Sequence, residues 1–242
     1  MDFKEFDFEG EETLKTIAEA HAFNQWMYET IKPYCKGKIL EIGSGIGNIS
    51  DYFIADGADI LLSDIRDQYR TFLNSRYKER GTSIRNIDIV ADDFMQLTSD
   101  LHGSLDTVFA LNVVEHIQND QLAVKNMLTL LKPGGQLIIL VPAFQLLFNN
   151  FDRELMHYRR YTRKSLNNLL LKNDKIALEK SFYFNSLGIA GWFVAGSILK
   201  KKLIPSGNMK LFNKLVPIGK VLDKITSGFA GLSVVAVVQK QN

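Results

Sequence analysis

Apolar residues over 1–142 fall into two rhythms that take turns. Short unbroken runs occur at 39–42, 60–62, 87–91, 106–111 and 136–141, the mark of strands covered on both faces. Stripes at helical spacing lie between them. Residues 11–34 set Leu14, Ile17, Phe23, Trp26, Met27 and Ile31 on one side and stop at Pro33 and Gly37; further helices are predicted over 49–56, 68–80 and 118–131. Strand and helix in alternation predict an open α/β sheet.

The second half changes character. A helix predicted over 163–172 leads to a sixth strand over 175–184, where Ile176, Leu178, Phe182 and Phe184 share one face. Residues 187–199 are almost wholly apolar, but 13 residues fall short of the roughly 20 that cross a bilayer. They predict a buried or interfacial helix, with Lys200, Lys201 and Lys202 at its boundary. Residues 205–227 are amphipathic, setting Phe212, Leu215, Val216 and Ile218 among lysines. A last apolar run, 232–239, reads as the closing strand.

Candidate chemistry concentrates where the first strand breaks. Residues 38–48 read Lys-Ile-Leu-Glu-Ile-Gly-Ser-Gly-Ile-Gly-Asn, a strand, a glycine turn and a helix start. Glycines there let backbone approach a ligand closely, and the helix start offers free N–H groups. A dinucleotide fingerprint wants its third glycine where Asn48 stands. Glu41, two residues before Gly43, would repel a pyrophosphate and suits an amine or another positive centre. Asp64 ends the second strand about 20 residues on, where such folds bind ribose hydroxyls.

On these residues the chain resembles the class I S-adenosylmethionine-dependent methyltransferases. Glu41-Ile-Gly-Ser-Gly-Ile-Gly47 looks like their first motif, Asp64 like the ribose carboxylate, Asp92 with Phe94 like the adenine loop, and Leu131-Lys-Pro-Gly-Gly135 like the turn before the fifth strand. The resemblance implies an α/β fold: a seven-stranded Rossmann-like methyltransferase sheet, its last strand antiparallel, with a helical lid inserted between strands six and seven. One domain spans 1–242: a cofactor-covering helix at 11–35, a donor-binding core at 36–142, an acceptor loop at 143–162 and the lid at 186–229. It also implies S-adenosyl-L-methionine as cofactor, held by Glu41, Gly43, Ser44, Gly45, Gly47 and Asp64. Ile65 and Phe94 would sandwich the adenine, Asp92 or its neighbour Asp93 would accept its amino group, Asn24 and Trp26 would approach the methionine part, and Asn112 would be a further cofactor contact.

Val113-Val-Glu-His-Ile117 resembles the corresponding stretch of the ubiquinone-pathway O-methyltransferases, which use two glutamates and the histidine for a divalent ion. Asn112 replaces the first glutamate and is a weaker ligand for a hard cation, so no metal is expected. Residues 152–162, Asp-Arg-Glu-Leu-Met-His-Tyr-Arg-Arg-Tyr-Thr, are similar to a pattern in bacterial methyltransferases near lipid-linked sugar functions. An imidazole suits proton removal near neutral pH, making His157 the first candidate base and His116 the second, with Tyr158 and Tyr161 orienting the acceptor. Arg159 and Arg160 can hold phosphate or carboxylate, or serve structure by pairing with Asp152 while Thr162 caps the next helix.

Composition adds limits. The 242 residues are 46% hydrophobic and carry a net charge of +2, ordinary for one globular domain and no argument for nucleic acid. No target-base motif follows Asn112, so no nucleic-acid partner is expected. The single cysteine, Cys35, excludes an internal disulfide, and the acidic start lacks a signal pattern; the expected location is cytoplasmic, with a peripheral membrane contact through the lid at the inner face. The primary expectation is methyl transfer to oxygen or nitrogen of a small or lipid-linked metabolite. Carbon methylation of a prenyl or fatty chain, with Phe144, Phe148, Phe151 and Trp192 around a cationic centre, and a non-catalytic donor-binding subunit stay open, as does the oligomeric state.

Overall fold

The computed structural model describes residues 8–201 and 206–242. The acidic start at 1–7 and Lys202 lie outside the described residues. Strands β1 (Ile39–Ile42), β2 (Ile60–Ser63), β3 (Ile84–Arg85), β4 (Leu105–Leu111), β5 (Leu131–Pro142), β6 (Ile176–Phe184) and β7 (Ser233–Lys240) form one seven-stranded sheet in the order β3-β2-β1-β4-β5-β7-β6. The first five pair in parallel; β7 runs antiparallel between β5 and β6.

Alternation along the central strands divides the core between two layers. Val108 and Ala110 of β4 and Leu137 and Ile139 of β5 face helices α6 (Asp120–Leu130) and α8 (Arg163–Leu171). Phe109, Ile138 and Leu140 face the other way, into a cluster with α2 (His21–Ile31), α3 (Ser50–Ala55) and α4 (Asp67–Tyr77). Both faces of these strands are covered, which is why the sequence shows continuous apolar runs there. Edge strand β6 leaves Glu179 and Lys180 exposed, charges that discourage pairing with a further strand.

Three predicted elements differ. The helix expected over 11–34 is α1 (Phe8–Ala18), then α2 and a 3-10 turn, Lys32–Tyr34. The break falls at Ala20, which is fully buried at non-helical angles, φ −90° and ψ 60°. It lets α1 lean on the glycine turn, where the Asn48 amide donates to the Leu14 carbonyl at 3.1 Å. The third strand is not 87–91 but the two residues of β3, because Asn86 and Asp88 end the extended run with turn chemistry. The apolar stretch 187–199 is a short helix, α9 (Gly188–Trp192), continued by a π-helical stretch, Phe193–Ile198.

Helix α10 (Ser206–Thr226) follows and contains Pro217. All three helical pieces lie in the chain between β6 and β7. Two shorter helices, α5 (Phe94–Leu97) and α7 (Asn150–Glu154), lie in connections at the carboxyl ends of β3 and β5.

Candidate functional site

Strand order reverses between β1 and β4, so their connections leave in opposite directions and open a crevice at their carboxyl ends. A cavity of about 740 Å³ fills it, toward the upper end of small-molecule sites, roughly 300–1,000 Å³.

The β1 turn forms one wall. Gly43 and Ser44 both donate backbone N–H groups to the Ser63 carbonyl, at 2.9 and 2.8 Å, locking the turn to β2. Gly43 has φ +74°, and a Cβ there would lie 2.5 Å from Val113; only glycine fits both demands. Gly47 lies behind the wall, also left-handed, where a Cβ would meet the Tyr77 hydroxyl. Asp64, 6% exposed, accepts from the N–H groups of Gly45 at 3.0 Å and Arg66 at 2.9 Å. Burial pushes its carboxyl up, against the pull of those two donors. Glu41, 4% exposed, accepts from the Ser50 hydroxyl. Burial raises its carboxyl to about 7, although Ser50 and Ser44 oppose the shift.

Gly43, Ser44, Gly45, Asp64, Ile65 and Asn112 all line the cavity. Asn112 follows β4 with φ +54°, a conformation asparagine tolerates better than most side chains. From the N-terminal helices Leu14, Ile17, Asn24 and Met27 line it, whereas Trp26 does not. Trp26 packs on Phe184 with ring centroids 4.6 Å apart and sits over Gly219, a core residue.

The loop after β3 departs from expectation. Asp92 and Asp93 are exposed, Phe94 is buried in the core, and none of the three lines the cavity. Ile87, Asp88, Ile89 and Val90 line it instead. With β3 ending at Arg85, the chain reaches the crevice four residues sooner, and the acid facing it is Asp88. The signal was present in Asn86 and Asp88, turn formers inside a supposed strand.

Across the cavity, residues 149–160 are organised around Asp152. Asn149 caps α7, and its N–H bonds the Asp152 carboxylate at 2.9 Å. The same carboxylate accepts from Arg160 Nε at 2.7 Å and meets His157 Nδ1 at 2.9 Å. Burial alone would raise Asp152, but His157 and Arg160 outweigh it and hold it below the usual carboxylate range. In the neutral imidazole an ionised Asp152 favours the proton on Nδ1, which makes Nε2 the acceptor. That nitrogen faces Glu115 Oε1 at 4.0 Å.

Glu115, read in the sequence as half of a Glu-His pair with no metal expected, lines the cavity. It is fully buried, neither carboxylate oxygen has a hydrogen-bond partner among the described residues, and burial raises it to about 8. His116 stacks edge-on against His157, centroids 4.6 Å apart; burial first, then His157, lower it to about 3. Such an imidazole is a poor proton acceptor. Glu115, His116 and His157 each place a ligand atom within 4.8 Å of the others, a spacing able to hold a metal ion.

The other acceptor-side candidates separate. Trp192 lines the cavity, stacks on the Arg160 guanidinium at 4.8 Å and donates to the Leu147 carbonyl at 3.2 Å. Arg160 also lines it, but its charge is committed to Asp152 and Trp192. Tyr158 lines the cavity and is half exposed. Arg159 and Tyr161 do not line it: both bind the Asp120 carboxylate at 2.8 Å. Phe144 packs on Tyr183, centroids 4.7 Å apart, and Phe148 lies under Arg153; neither reaches the cavity. Phe151, Leu155, Met156, Met209 and Phe212 supply apolar lining. Cys35 is half-buried and its thiol is pushed up to about 12 by burial, an inert position.

Residues 40–139 match a family model described as a methyltransferase domain. The ubiquinone biosynthesis O-methyltransferase of Pseudomonas aeruginosa (strain UCBPP-PA14) is 26% identical over 102 residues, under half of either sequence: 42% of this chain and 43% of that one. A SAM-dependent methyltransferase from Archaeoglobus fulgidus has a similar fold, with TM-score 0.57 and 16% identity over 90% of this chain and 94% of its own. Phosphoethanolamine N-methyltransferase 2 of Haemonchus contortus, in complex with S-adenosyl-L-methionine, matches with TM-score 0.58 and 15% identity over 93% of this chain and 57% of its own.

Proposed function

We propose that this chain, a class I S-adenosylmethionine-dependent methyltransferase, transfers the methyl group to a hydroxyl oxygen of a small or lipid-linked acceptor. The hydrogen bond from His157 to Asp152 carries the choice of oxygen: a neutral amine needs no base, whereas a hydroxyl must lose its proton. The relative matched over the core is itself named an O-methyltransferase. Carbon methylation is less well supported: Phe151 and Trp192 line the cavity, but Phe144 and Phe148, the other two rings expected there, lie away from it.

When bound, the donor supplies a methyl group on a sulfonium, a strong electrophile. In this reading Asp64 takes ribose hydroxyls, Asp88 and Ile89 meet the adenine, and Glu41 offers negative charge toward the amino-acid end; that all four line the cavity supports it. Charged acceptors make such hydrogen bonds stronger than neutral ones. His157 Nε2 takes the proton from the acceptor oxygen, and Asp152 steadies the imidazolium that results. The apolar residues of α9, the π-helical stretch and α10 cover the acceptor end, exclude water and hold oxygen and methyl in line, so that alignment supplies much of the acceleration.

The test measures release of S-adenosylhomocysteine with a panel of phenolic and lipid-linked hydroxyl acceptors. His157→Ala is expected to lower turnover by roughly 10²–10⁴ with donor affinity unchanged. Equal turnover in the variant, or a loss explained by donor affinity alone, would remove the base.

A second reading rests on the partnerless Glu115 oxygens and their closeness to His116 and His157. A divalent cation held by these three would polarise the acceptor oxygen. The residues fit in number, but Asn112 stands where the ubiquinone-type pattern has a carboxylate. Activity abolished by EDTA and restored by one metal would favour this reading over the unaided base.

A further inference from the structure

We propose that the helical segment between β6 and β7 docks on the surface of an anionic lipid bilayer. This goes beyond the catalytic reading and stands on the outer face of the segment, not on its cavity side.

Exposed apolar side chains are concentrated there. Among the described residues, ten of the seventeen large apolar side chains that stand exposed belong to 193–229. On α10, Leu211, Ile218, Leu222 and Ile225 share a strip roughly 60° wide, and Val221 extends it to about 100°. Ile225 is 72% and Leu211 61% exposed. The opposite side of α10 is already occupied: Val216 is buried in the core, Gly219 lies against Trp26, and Met209 and Phe212 reach the cavity. A helix with a satisfied inner face and a second, unpartnered apolar strip is built to contact something else. Phe193 and Ile198 of the π-helical stretch are exposed as well.

Charge identifies the partner. Residues 186–229 contain seven lysines and a single acid, Asp223. The Asp223 carboxylate is engaged by the N–H groups of Asn185 and Ser186 at 2.6 and 2.8 Å and by the Ser186 hydroxyl at 2.7 Å. Lys220 pairs with Glu29 at 2.5 Å, but Lys200, Lys201, Lys214 and Lys224 have no ion pair among the described residues. The segment therefore carries +6 in a chain whose net charge is +2, so the remainder is negative. Such asymmetry turns this face toward an anionic surface. No helix among the described residues is long and apolar enough to cross a membrane, which leaves the interfacial mode. The same helices wall the cavity through Trp192, Ala195 and Phe212, so docking sets the acceptor end against the lipid.

The 242-residue chain, checked for donor binding, is sedimented with phosphatidylcholine vesicles and with vesicles also containing phosphatidylglycerol. The expected result is partition onto the anionic vesicles, at least about tenfold over neutral ones at low salt. Neutralisation of two exposed lysines, Lys214→Gln with Lys224→Gln, is expected to weaken it by about 25-fold, each lysine contributing roughly fivefold. Ile218→Ser, Val221→Ser and Ile225→Ser together should abolish it while donor binding is kept. Wild type left in the supernatant, equal partition onto neutral vesicles, or unchanged partition of the serine variant would each overturn the proposal. So would a sedimentation-velocity dimer that the serine variant splits, which would make this strip an interface between copies. Loss of donor binding with vesicle binding intact would remove the catalytic reading and leave docking in place.

Discussion

Replacing Glu41 by Gln should change how stability depends on pH, by an amount the structure sets. Glu41 is buried beneath the glycine turn, and burial lifts its carboxyl from 4.5 to about 7. Between those two values the folded chain binds a proton that the unfolded chain has released. Stability therefore falls as pH rises through this window and levels off above about 7. A shift of 2.5 units corresponds to about 3 kcal/mol. Gln fills the same space and can accept from the Ser50 hydroxyl, but it has no proton to lose. Urea denaturation of both proteins without ligand, at several pH values between 5 and 8, isolates the effect. Other titrating groups, Glu115 among them, are common to both and cancel in the difference. The variant should gain about 2.5 kcal/mol relative to wild type between pH 5 and 8, with equal m-values. Parallel stability curves would refute the buried, protonated Glu41. Donor affinity supplies a second readout. If the donor's cationic end requires the carboxylate ionised, wild-type Kd should improve roughly tenfold from pH 6 to pH 8, and the variant should lack that slope.

Asp152→Asn removes the charge that Arg160 and His157 share in a buried site. It should destabilise the protein by about 3–5 kcal/mol in urea denaturation, and a loss under about 1 kcal/mol would mean that the hub is not held as described. Gly47→Ala forces a side chain into left-handed backbone at about 1–2 kcal/mol and adds a clash with the Tyr77 hydroxyl. Its thermal penalty should be several degrees, and smaller when introduced into Tyr77→Phe; equal penalties in the two backgrounds would deny the clash.

The donor half was legible in the sequence because local rules place it. A glycine turn closing one strand and a carboxylate ending the next have fixed destinations once the strands are parallel. Asp92 was misplaced because β3 is only two residues long, too short for its apolar pattern to mark its end. Trp26 was ambiguous for another reason: α2 has apolar residues toward both the cavity and the core, and periodicity cannot say which side a ring joins. The acceptor loop was least legible. Phe144 meets Tyr183, and Arg159 and Tyr161 meet Asp120, partners roughly 40 residues away that only the folded chain brings together. Arg160 and Arg159 are neighbours, yet one is sealed between Asp152 and Trp192 while the other pairs at the surface. Glu115 showed in the sequence only as half of a Glu-His pair; that its carboxylate oxygens lack a hydrogen-bond partner is a property of packing and not of spacing.

Isothermal titration of S-adenosylmethionine into the wild-type chain and into Asp64→Ala is the most direct measurement. Stoichiometric binding by the wild type, weakened at least about tenfold by the loss of one charged acceptor, is the predicted result. Absence of binding to the wild type, or the same affinity in both proteins, would place the ligand of this cavity elsewhere in chemistry.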